Sequence, residues 1–597
     1  MAQLLLTVLG LVQLDARLAY AKISNCRCLS TDSCWPSQQD FAILQTQLSQ
    51  PFITPIPPAA ACYPPDAPLG NCTDVQQNWF DPAWSADHPG QMQAPNWETF
   101  IFSNGTIEQC LKNATLGFPC GQGSVPVLGV DARTPEDIQA AINFSVQHNL
   151  RVVVKNTGHD FLGRSMARGA FMLWTHNMKN ISYHDTFTPT GALGTSNATL
   201  KHILTIGAGV QWHEAYDASY AQDRDIVGAP TAKGSVGSAG GWIGGGGHSV
   251  LAPTFGLGAD NAVQFTIVTS TGEHLTANNH QHSDLFWALR GGGGGTYGIV
   301  TSVSYQTHPA ELYVRASFSA TVNTTNTTAP SAPLKALFTE FVRITPFLSD
   351  NGWAGYPQLT LASPTNEQTF SFVLLNTHSW TDANATIDPF FDYARSLAAT
   401  TSSVQGGDQF TVVNAGTVAP QLFRDFERQV VRPGESETGV NIEVASRLLP
   451  RKLLEDDYVK VADTLLAQSP AVSYIMVAGG AVAKVDPDSA GINPAWREAL
   501  VHVATGQTWV DGTPLTEIVA AKERVKAYTL ALENLAPGSG SYFNEASLYC
   551  TDPKQTFFGS HYEKLLDIKK TYDPHDLFIV AEGVGSEEWD ASLNCRV

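Results

Sequence analysis

The segment that most constrains the fold is RVVVKNTGHDFLGR, residues 151–164. Its three consecutive valines, Val152, Val153 and Val154, predict a short strand that breaks into a loop of small and polar residues. A strand that leads into a glycine-containing loop brings main-chain N–H groups up to a phosphate or pyrophosphate. The loop also carries His159, a nucleophilic imidazole that a phosphate cradle does not need. The tripeptide Gly-His-Asp also occurs in ordinary strand–helix turns. The neighbouring motifs therefore decide whether this loop is a cofactor-binding loop.

Two glycine-rich runs provide that context. Residues 234–249 read GSVGSAGGWIGGGGHS, and glycine at this density lets a backbone approach a flat or anionic ligand and adopt positive φ. A flexible linker would not carry Val236, Trp242 and Ile243 at this spacing. Residues 282–300, HSDLFWALRGGGGGTYGIV, predict a short helix that ends in five glycines and enters a strand at Ile299.

Together these runs resemble the FAD-linked oxidases of the vanillyl-alcohol-oxidase type, and in particular the berberine-bridge-enzyme-like subgroup. The C-terminal stretch SYFNEASLYC adds the Y-x-N pattern of that subgroup through Tyr542 and Asn544. The resemblance implies FAD as cofactor, with His159 bonded to the flavin 8α-methyl group. Some relatives add a cysteinyl bond to flavin C6, but Gly234 stands where that cysteine would be. Because no cysteine lies between 120 and 550, a link through His159 alone is expected.

The loop that follows the valine-rich strand, residues 156–165, is here called the attachment loop. The resemblance implies that this loop, the first glycine-rich run, the start of the strand at Ile299 and the Y-x-N segment hold the FAD. The expected cofactor-binding residues are Asn156, Thr157, Gly158, His159, Asp160, Gly163, Arg164, Ser165, Gly234, Ser235, Gly237, Ser238, Gly240, Gly241, Ile299 and Asn544.

The candidate catalytic residues are Glu545 and Tyr542. Many relatives carry a second tyrosine directly after the asparagine of the motif, and here that position is Glu545. A carboxylate near the flavin can act as the base that removes a substrate proton, and Tyr542 is the alternative base. A solvated surface glutamate is the competing interpretation of Glu545.

The sequence lacks the motifs of several other classes of enzyme. Gly207-Ala208-Gly209 follows a predicted strand, but Trp212 stands at the third glycine position of a Rossmann fingerprint. The sequence contains no G-x-S-x-G motif and no P-loop, and His213-Glu214 lacks the second histidine of a zincin. No metal site is predicted.

Composition and cysteine usage indicate a secreted protein. Residues 4–14 form an apolar stretch too short to span a bilayer, and an A-x-A site at Ala19–Ala21 predicts a signal peptide over residues 1–21. Nine cysteines and nine N-x-[ST] sequons predict disulfides and glycosylation, and the odd cysteine count leaves at least one thiol unpaired. A net charge of −20 disfavours nucleic acid and anionic membranes as partners. A small-molecule substrate, O₂ and a monomeric state are expected instead.

A chain of 597 residues is too long for one hydrophobic core. We predict an α+β fold in which a two-subdomain FAD-binding domain of the PCMH type carries an inserted substrate domain, an antiparallel sheet backed by helices. The predicted boundaries are a Cys/Pro-rich extension over 22–125, the FAD-binding domain over 126–309, the substrate domain over 310–540, and a berberine-bridge-type segment over 541–597 that returns to the FAD domain.

Three functions remain open on the sequence. The first is an oxidase that transfers hydride from an alcohol, sugar or secondary metabolite to covalent flavin, which O₂ reoxidises with formation of H₂O₂. The second is a natural-product tailoring enzyme in which Glu545 catalyses a redox-neutral isomerisation or cyclisation. The third is a carbohydrate-binding or storage glycoprotein that has lost turnover.

Overall fold

A computed structural model describes residues 25–63, 70–192, 198–324, 329–361, 366–401, 408–434, 438–468 and 470–597. The predicted signal peptide lies outside these residues. Four disulfides join Cys26–Cys595, Cys28–Cys34, Cys62–Cys72 and Cys110–Cys120, and Cys550 is a free thiol. The prediction of several disulfides with one unpaired thiol is therefore confirmed. The Cys26–Cys595 bond joins the first described residues to the C-terminal tail.

The N-terminal extension wraps the rest of the chain with short elements. These are α1 (Gln38–Gln45), β1 (Phe52–Ile53), α2 (Cys72–Asn78), α3 (Pro82–Ala86), β2 (Phe100–Ile101) and β3 (Ile107–Glu108). Strand β1 adds an antiparallel edge to the first sheet of the FAD domain, so the extension is part of that domain's structure.

The first subdomain contains β4 (Leu128–Asp131), α4 (Pro135–Gln147), β5 (Val152–Lys155) and β6 (Phe171–Trp174). Strand β6 lies between β4 and β5 and is parallel to both. Helix α4 begins with a capping box: Thr134 and Asp137 each accept a hydrogen bond from the other's backbone N–H, and Pro135 follows the cap. The buried face of α4 covers the sheet through Ile138, Ala141 and Ile142. This packing fixes the end of β5, where the Gly-His-Asp loop begins.

The second subdomain is a five-stranded antiparallel sheet in the order β11-β10-β12-β8-β7. Its elements are β7 (Ile181–Phe187), β8 (Leu200–Gly207), α5 (Trp212–Tyr220), β9 (Arg224–Asp225), α6 (Gly241–Gly244), α7 (Ala252–Phe255), α8 (Gly258–Asn261), β10 (Ala262–Val268), β11 (His274–Ala277), α9 (Ser283–Leu289), β12 (Ile299–Gln306) and β13 (His308–Pro309). The two glycine-rich runs connect these elements on the side that faces the substrate domain.

The region predicted to be the substrate domain is one large antiparallel sheet backed by helices, the fold expected for it. Its elements are β14 (Leu312–Asn323), α10 (Ala332–Asp350), β15 (Ala354–Gly355), β16 (Gln358–Thr360), β17 (Glu367–Asn376), α11 (Trp380–Thr401), β18 (Gln409–Leu422), α12 (Phe423–Phe426), β19 (Asn441–Pro450), α13 (Arg451–Asp456), α14 (Tyr458–Leu466), β20 (Ala471–Ile475), α15 (Ala495–Glu498), β21 (Ala499–Trp509) and α16 (Leu515–Leu535). The strand order is β18-β14-β17-β16-β20-β21-β19, with β15 paired to β17. Burial alternates along β14 with period two, because one face packs on the helices.

The C-terminal segment returns to the FAD domain, where α17 (Pro553–Phe558) and α18 (Tyr562–Tyr572) pack against the second subdomain. A buried ion pair anchors it. The Lys569 ammonium donates to the Asp573 carboxylate at 2.7 Å, to the Phe578 carbonyl at 2.9 Å and to the Thr296 carbonyl at 3.1 Å. Thr296 belongs to the second glycine-rich run, so the pair ties the C-terminal segment to that loop.

Replacing Lys569 with methionine should lower the free energy of unfolding by about 3–5 kcal/mol, because it leaves the Asp573 carboxylate buried without its cation. Both side chains are at most 1% exposed. Urea unfolding followed by tryptophan fluorescence measures the effect. Lys570→Met is the matched control, since Lys570 is exposed on the same helix. Equal stabilities for the two variants would contradict the prediction.

Candidate active site

A cavity of about 640 Å³ runs between the FAD domain, the substrate-domain sheet and the C-terminal segment. The attachment loop and both glycine-rich runs form one end of its wall, together with Phe265 and Leu289. Strand residues Gln358, Ser473 and Thr505 form part of the other. One continuous space therefore joins the predicted cofactor loops to the predicted substrate domain.

The N-terminal extension holds the attachment loop in place. The loop turns at Gly158, which has φ +80°, and a Cβ there would meet the Gln91 carbonyl at 3.1 Å. The backbone N–H of Gln93 donates to the Gly158 carbonyl at 3.1 Å, and its side chain donates to the Thr157 carbonyl at 3.1 Å. The loop is thus fixed from outside by a segment that lies far from it in sequence.

Asp160 stabilises the same loop from within. Its carboxylate accepts from the backbone N–H groups of Leu162, Arg164 and Ser165 and from Arg164 Nε at 2.8 Å. Because these loop donors surround it, the Asp160 carboxylate stabilises the turn that follows His159.

The surroundings of His159 fix both the orientation and the protonation state of its ring. Its Nε2 lies 2.8 Å from Ser235 Oγ, which fixes the ring plane against the first glycine-rich run. Burial, with a smaller contribution from the nearby Lys155 ammonium, lowers the pKa of His159 to about 3. The imidazole is therefore unprotonated at neutral pH and can act as a nucleophile through a free ring nitrogen.

The glycine-rich walls leave room for a flat, phosphate-bearing group. A Cβ at Gly240 or Gly241 would meet nothing within 4 Å, so these glycines border open space. At Gly237 a Cβ would lie 2.3 Å from Asn156 Nδ2. Asn156 donates to the Ala208 carbonyl, while its buried Oδ1 has no partner in the structure. An open backbone cradle and an unused amide acceptor fit the FAD that the sequence predicts.

The Y-x-N motif connects the attachment loop to the first glycine-rich run. Arg164 Nη2 donates to Asn544 Oδ1 at 3.1 Å. Asn544 Nδ2 in turn donates to the Gly241 carbonyl at 3.0 Å and to the Tyr542 hydroxyl at 2.8 Å. The motif thus couples three segments that the sequence places far apart, and it puts Tyr542 at the cavity wall.

Glu545 lies between two histidines. Its Oε1 is 3.1 Å from His248 Nε2, and its Oε2 is 2.8 Å from His502 Nε2. Burial opposes ionisation of Glu545, but the charges and hydrogen bonds of both histidines outweigh it and hold the pKa of the carboxyl well below its usual range. The side chain is 26% exposed, and the residue lines the cavity. It is therefore a wall carboxylate with both oxygens engaged, and the interpretation as a solvated surface glutamate is wrong.

These three side chains are also metal-ligand types, and their ligand atoms lie within 4.8 Å of one another. Each imidazole uses a different carboxylate oxygen, however, which is the geometry of two separate hydrogen bonds. A mononuclear site would direct all the ligand atoms at one point. The arrangement favours acid–base chemistry over metal binding.

Most of the predicted site residues come together at the cavity. Those that line it are Asn156, Thr157, Gly158, His159, Asp160, Arg164, Ser165, Gly237, Gly240, Gly241, Ile299, Tyr542, Asn544 and Glu545. Four others do not line it. Gly163 packs against the Trp97 ring, and Gly234 packs against His213. The Ser238 hydroxyl donates to the Val210 carbonyl. Ser235 lies behind His159 and acts on the cavity only through that ring.

The sequence did not identify His248 or His502 as site residues. His248 directly follows four glycines in a loop expected to pass the flavin, which was a usable signal. His502 is fully buried on β21, and nothing local in the sequence distinguishes it from a core residue.

Comparisons with known proteins agree with this geometry. Residues 126–278 match the family model for an FAD binding domain, and residues 541–585 match the model called berberine and berberine like. A protein of Arthroderma benhamiae named as an uncharacterized FAD-linked oxidoreductase is 36% identical over 588 residues, which is 96% of both chains. A VAO-type flavoprotein oxidase of Thermothelomyces thermophilus is 30% identical over 590 residues, 96% of this chain and 95% of that one. The chain belongs to the FAD-linked oxidoreductases of the VAO family.

Solved structures show the same architecture. The VAO-type flavoprotein MtVAO713 from Myceliophthora thermophila superposes with a TM-score of 0.84 at 28% identity, covering 96% of this chain and 100% of that one. Berberine bridge enzyme from Eschscholzia californica has a TM-score of 0.64 at 14% identity, over 91% and 98% of the two chains, a likeness in fold alone. The predicted family, the α+β fold and FAD as cofactor are thus confirmed for this FAD-linked oxidoreductase.

Proposed function

We propose that this FAD-linked oxidoreductase is an oxidase that carries FAD bonded to His159 and oxidises an alcohol, sugar or secondary metabolite. The observation that carries the proposal is the cavity that both His159 and Glu545 line. When bound, FAD supplies the two-electron chemistry and passes the electrons to O₂. The chain's own residues bind the substrate, exclude water and accept its proton.

A link through His159 alone is supported by the neutral, oriented imidazole and by the absence of cysteine among the described residues of the cavity wall. Among the relatives, one solved structure is of a glucooligosaccharide oxidase whose FAD is both cysteinyl and histidyl. At the position expected for the cysteine, this chain has Gly234, which leaves one attachment point.

The acid–base groups of the proposal are Glu545 and Tyr542 with the residues that contact them. Both line the cavity. Burial raises the pKa of the Tyr542 phenol above its usual range, so this hydroxyl stays protonated at neutral pH. Glu545 stays ionised. The pair thus offers a hydrogen-bond donor and a negative charge beside the space that a substrate would occupy.

Oxygen and peroxide stoichiometry test the oxidase function. We expect purified protein to be yellow and to release one H₂O₂ for each product molecule formed in a screen of alcohols, oligosaccharides and polyketide alcohols. Product formed without O₂ uptake would replace this proposal with the redox-neutral isomerase. Reduced flavin that air does not reoxidise would support the storage glycoprotein instead.

We further propose that the protein is secreted and glycosylated. Four disulfides suit an oxidising compartment. Sequon residues Asn71, Asn104, Asn113 and Asn323 are exposed and so available to a glycosyltransferase. None of the helices in the described ranges is both long and apolar enough to cross a membrane. Deglycosylation of protein expressed in a fungal host should lower its apparent mass on a denaturing gel, and an unchanged mass would contradict glycosylation.

A further inference from the structure

Glu545, His248, His502 and Tyr356 form a hydrogen-bonded group that we call the Glu545 cluster. Its members differ in whether they face the cavity. His248 lies at the end of the first glycine-rich run, His502 on β21 and Tyr356 after β15. His248, Glu545 and Tyr356 line the cavity, whereas the His502 side chain is 0% exposed. The cluster therefore has a side that faces the cavity and a side that is closed.

The hydrogen bonds determine which nitrogen of His248 can accept a proton. In a neutral ring, the nitrogen that contacts a carboxylate carries the hydrogen, and the other nitrogen is an acceptor. Nε2 of His248 contacts Glu545, so Nδ1 is the acceptor. Nδ1 lies 3.4 Å from the Tyr356 hydroxyl. The basic nitrogen of His248 is thus directed at a phenol that borders the cavity.

The other titratable groups around His248 are poorer proton acceptors. Both oxygens of Glu545 accept hydrogen bonds from histidines, and these contacts hold the pKa of its carboxyl low. Glu545 is therefore a weak base. Tyr542 and Tyr356 are phenols whose pKa values burial raises, and both are already protonated. His502 is closed off from the cavity. By this comparison His248 is the group that can accept a proton from the cavity.

We propose that His248 is the proton acceptor of the reaction, reached through the Tyr356 hydroxyl, and that Glu545 and His502 are positioning residues for its ring. This inference rests on the proposed oxidase function. The substrate hydroxyl gives its proton to the Tyr356 oxygen while Tyr356 gives its own to His248 Nδ1. With FAD bound, the hydrogen of the substrate C–H bond would leave with its electron pair to the flavin. O₂ would then take that electron pair, that hydrogen and the proton held by His248 to give H₂O₂, which leaves His248 neutral again. Glu545 stabilises the imidazolium, as a carboxylate does in a Ser-His-Asp triad.

Anaerobic stopped-flow reduction with a substrate found in the peroxide screen tests the assignment. We expect His248→Ala to slow reduction by about 10²–10⁴-fold and to lose the acid limb of the pH profile. Added imidazole should restore part of the rate in proportion to its unprotonated fraction. His274→Ala, a partly exposed histidine on β11, is the matched control and should show neither slowing nor rescue. Slow reduction that imidazole does not rescue would overturn the role of His248.

Tyr356→Phe tests the route of the proton. It removes the hydroxyl between the cavity and His248, so reduction should slow while the acid limb stays, because the base is unchanged. Imidazole should not rescue this variant. Wild-type reduction rates in Tyr356→Phe would overturn the relay. Prolonged dialysis against a chelator should leave the rate of wild-type protein unchanged, and a chelator-sensitive rate would instead make His248, His502 and Glu545 a metal site.

A readout independent of turnover separates this inference from the proposed oxidase function. Diethyl pyrocarbonate acylates an accessible imidazole nitrogen that carries no hydrogen, and peptide mass spectrometry measures how fast His248 is modified. We expect His248 to react in wild-type protein, because its Nδ1 is the acceptor nitrogen and the residue lines the cavity. In Glu545→Gln the rate of modification should change, because the carboxylate that holds Nε2 is gone. An unreactive His248, or a rate of modification that does not depend on Glu545, would overturn the inference even if no substrate were known.

Discussion

Glu545→Gln should slow reduction of the bound flavin by substrate about 10²–10⁴-fold. Glutamine keeps the size of the side chain but removes the charge that both His248 and His502 contact. Its amide can accept from one imidazole but presents N–H₂ to the other, which loses an acceptor. The flavin spectrum and the melting temperature should change little, because the cavity keeps its shape. Anaerobic stopped-flow absorbance at the flavin band measures the rate.

The pH profile of the same variant separates two roles for Glu545. If Glu545 were the base, the acid limb would vanish with it. If it positions His248, the limb should remain, because the base itself is unchanged. Tyr542→Phe is the companion variant. It removes the hydroxyl that Asn544 contacts and should be the milder change. Reduction of Glu545→Gln at the wild-type rate would contradict both roles for Glu545.

The parts of the site that the sequence predicted are those built from contiguous residues. The attachment loop follows a valine-rich strand directly, so Asn156 to Arg164 could be placed from one segment. The glycine-rich runs were recognisable because backbone room for a ligand has to be encoded by glycine itself. The capping box at Thr134 also depends only on local residues, because its two hydrogen bonds join residues three positions apart. It therefore marks the start of α4 in the sequence.

The missed residues depend on pairing between distant strands. His502 reaches Glu545 because β21 pairs with β19 and β20, with His502 opposite Leu448 and Ile475. No local pattern encodes that register, which the whole sheet determines. Four strands of 10–14 residues, β14, β18, β19 and β21, were also not predicted. Two-sided burial removes the alternating pattern along β19.

One local prediction was too simple. The amphipathic pattern of residues 452–467 predicts a single helix. The structure has two helices, α13 and α14, separated at Asp457. The backbone of Asp457 has φ −139° and leaves the helical region. Asp457 stands at the N-cap of α14, but its side chain makes no capping hydrogen bond in the described structure.

His159→Ala should abolish covalent attachment of the flavin. In wild-type protein we expect the yellow colour to stay with the precipitate after acid treatment, and the protein band to fluoresce on a denaturing gel. Because Nε2 is held by Ser235 Oγ, Nδ1 is the nitrogen available for the bond. The variant should still bind FAD, since the glycine-rich walls and the Arg164–Asn544 link do not involve the imidazole. Its flavin should be released by acid.

Two further variants show whether the effect belongs to the bond itself. Ser235→Ala keeps the nucleophile but removes the contact that fixes its ring, so attachment should be incomplete or slow, measured by mass spectrometry of intact protein after incubation with FAD. His213→Ala removes a neighbouring imidazole that contacts the Gly234 carbonyl at 3.3 Å and should leave attachment complete. Covalent flavin persisting in His159→Ala would show that another side chain forms the bond. The neutral state of His159 would then reflect burial without a chemical role.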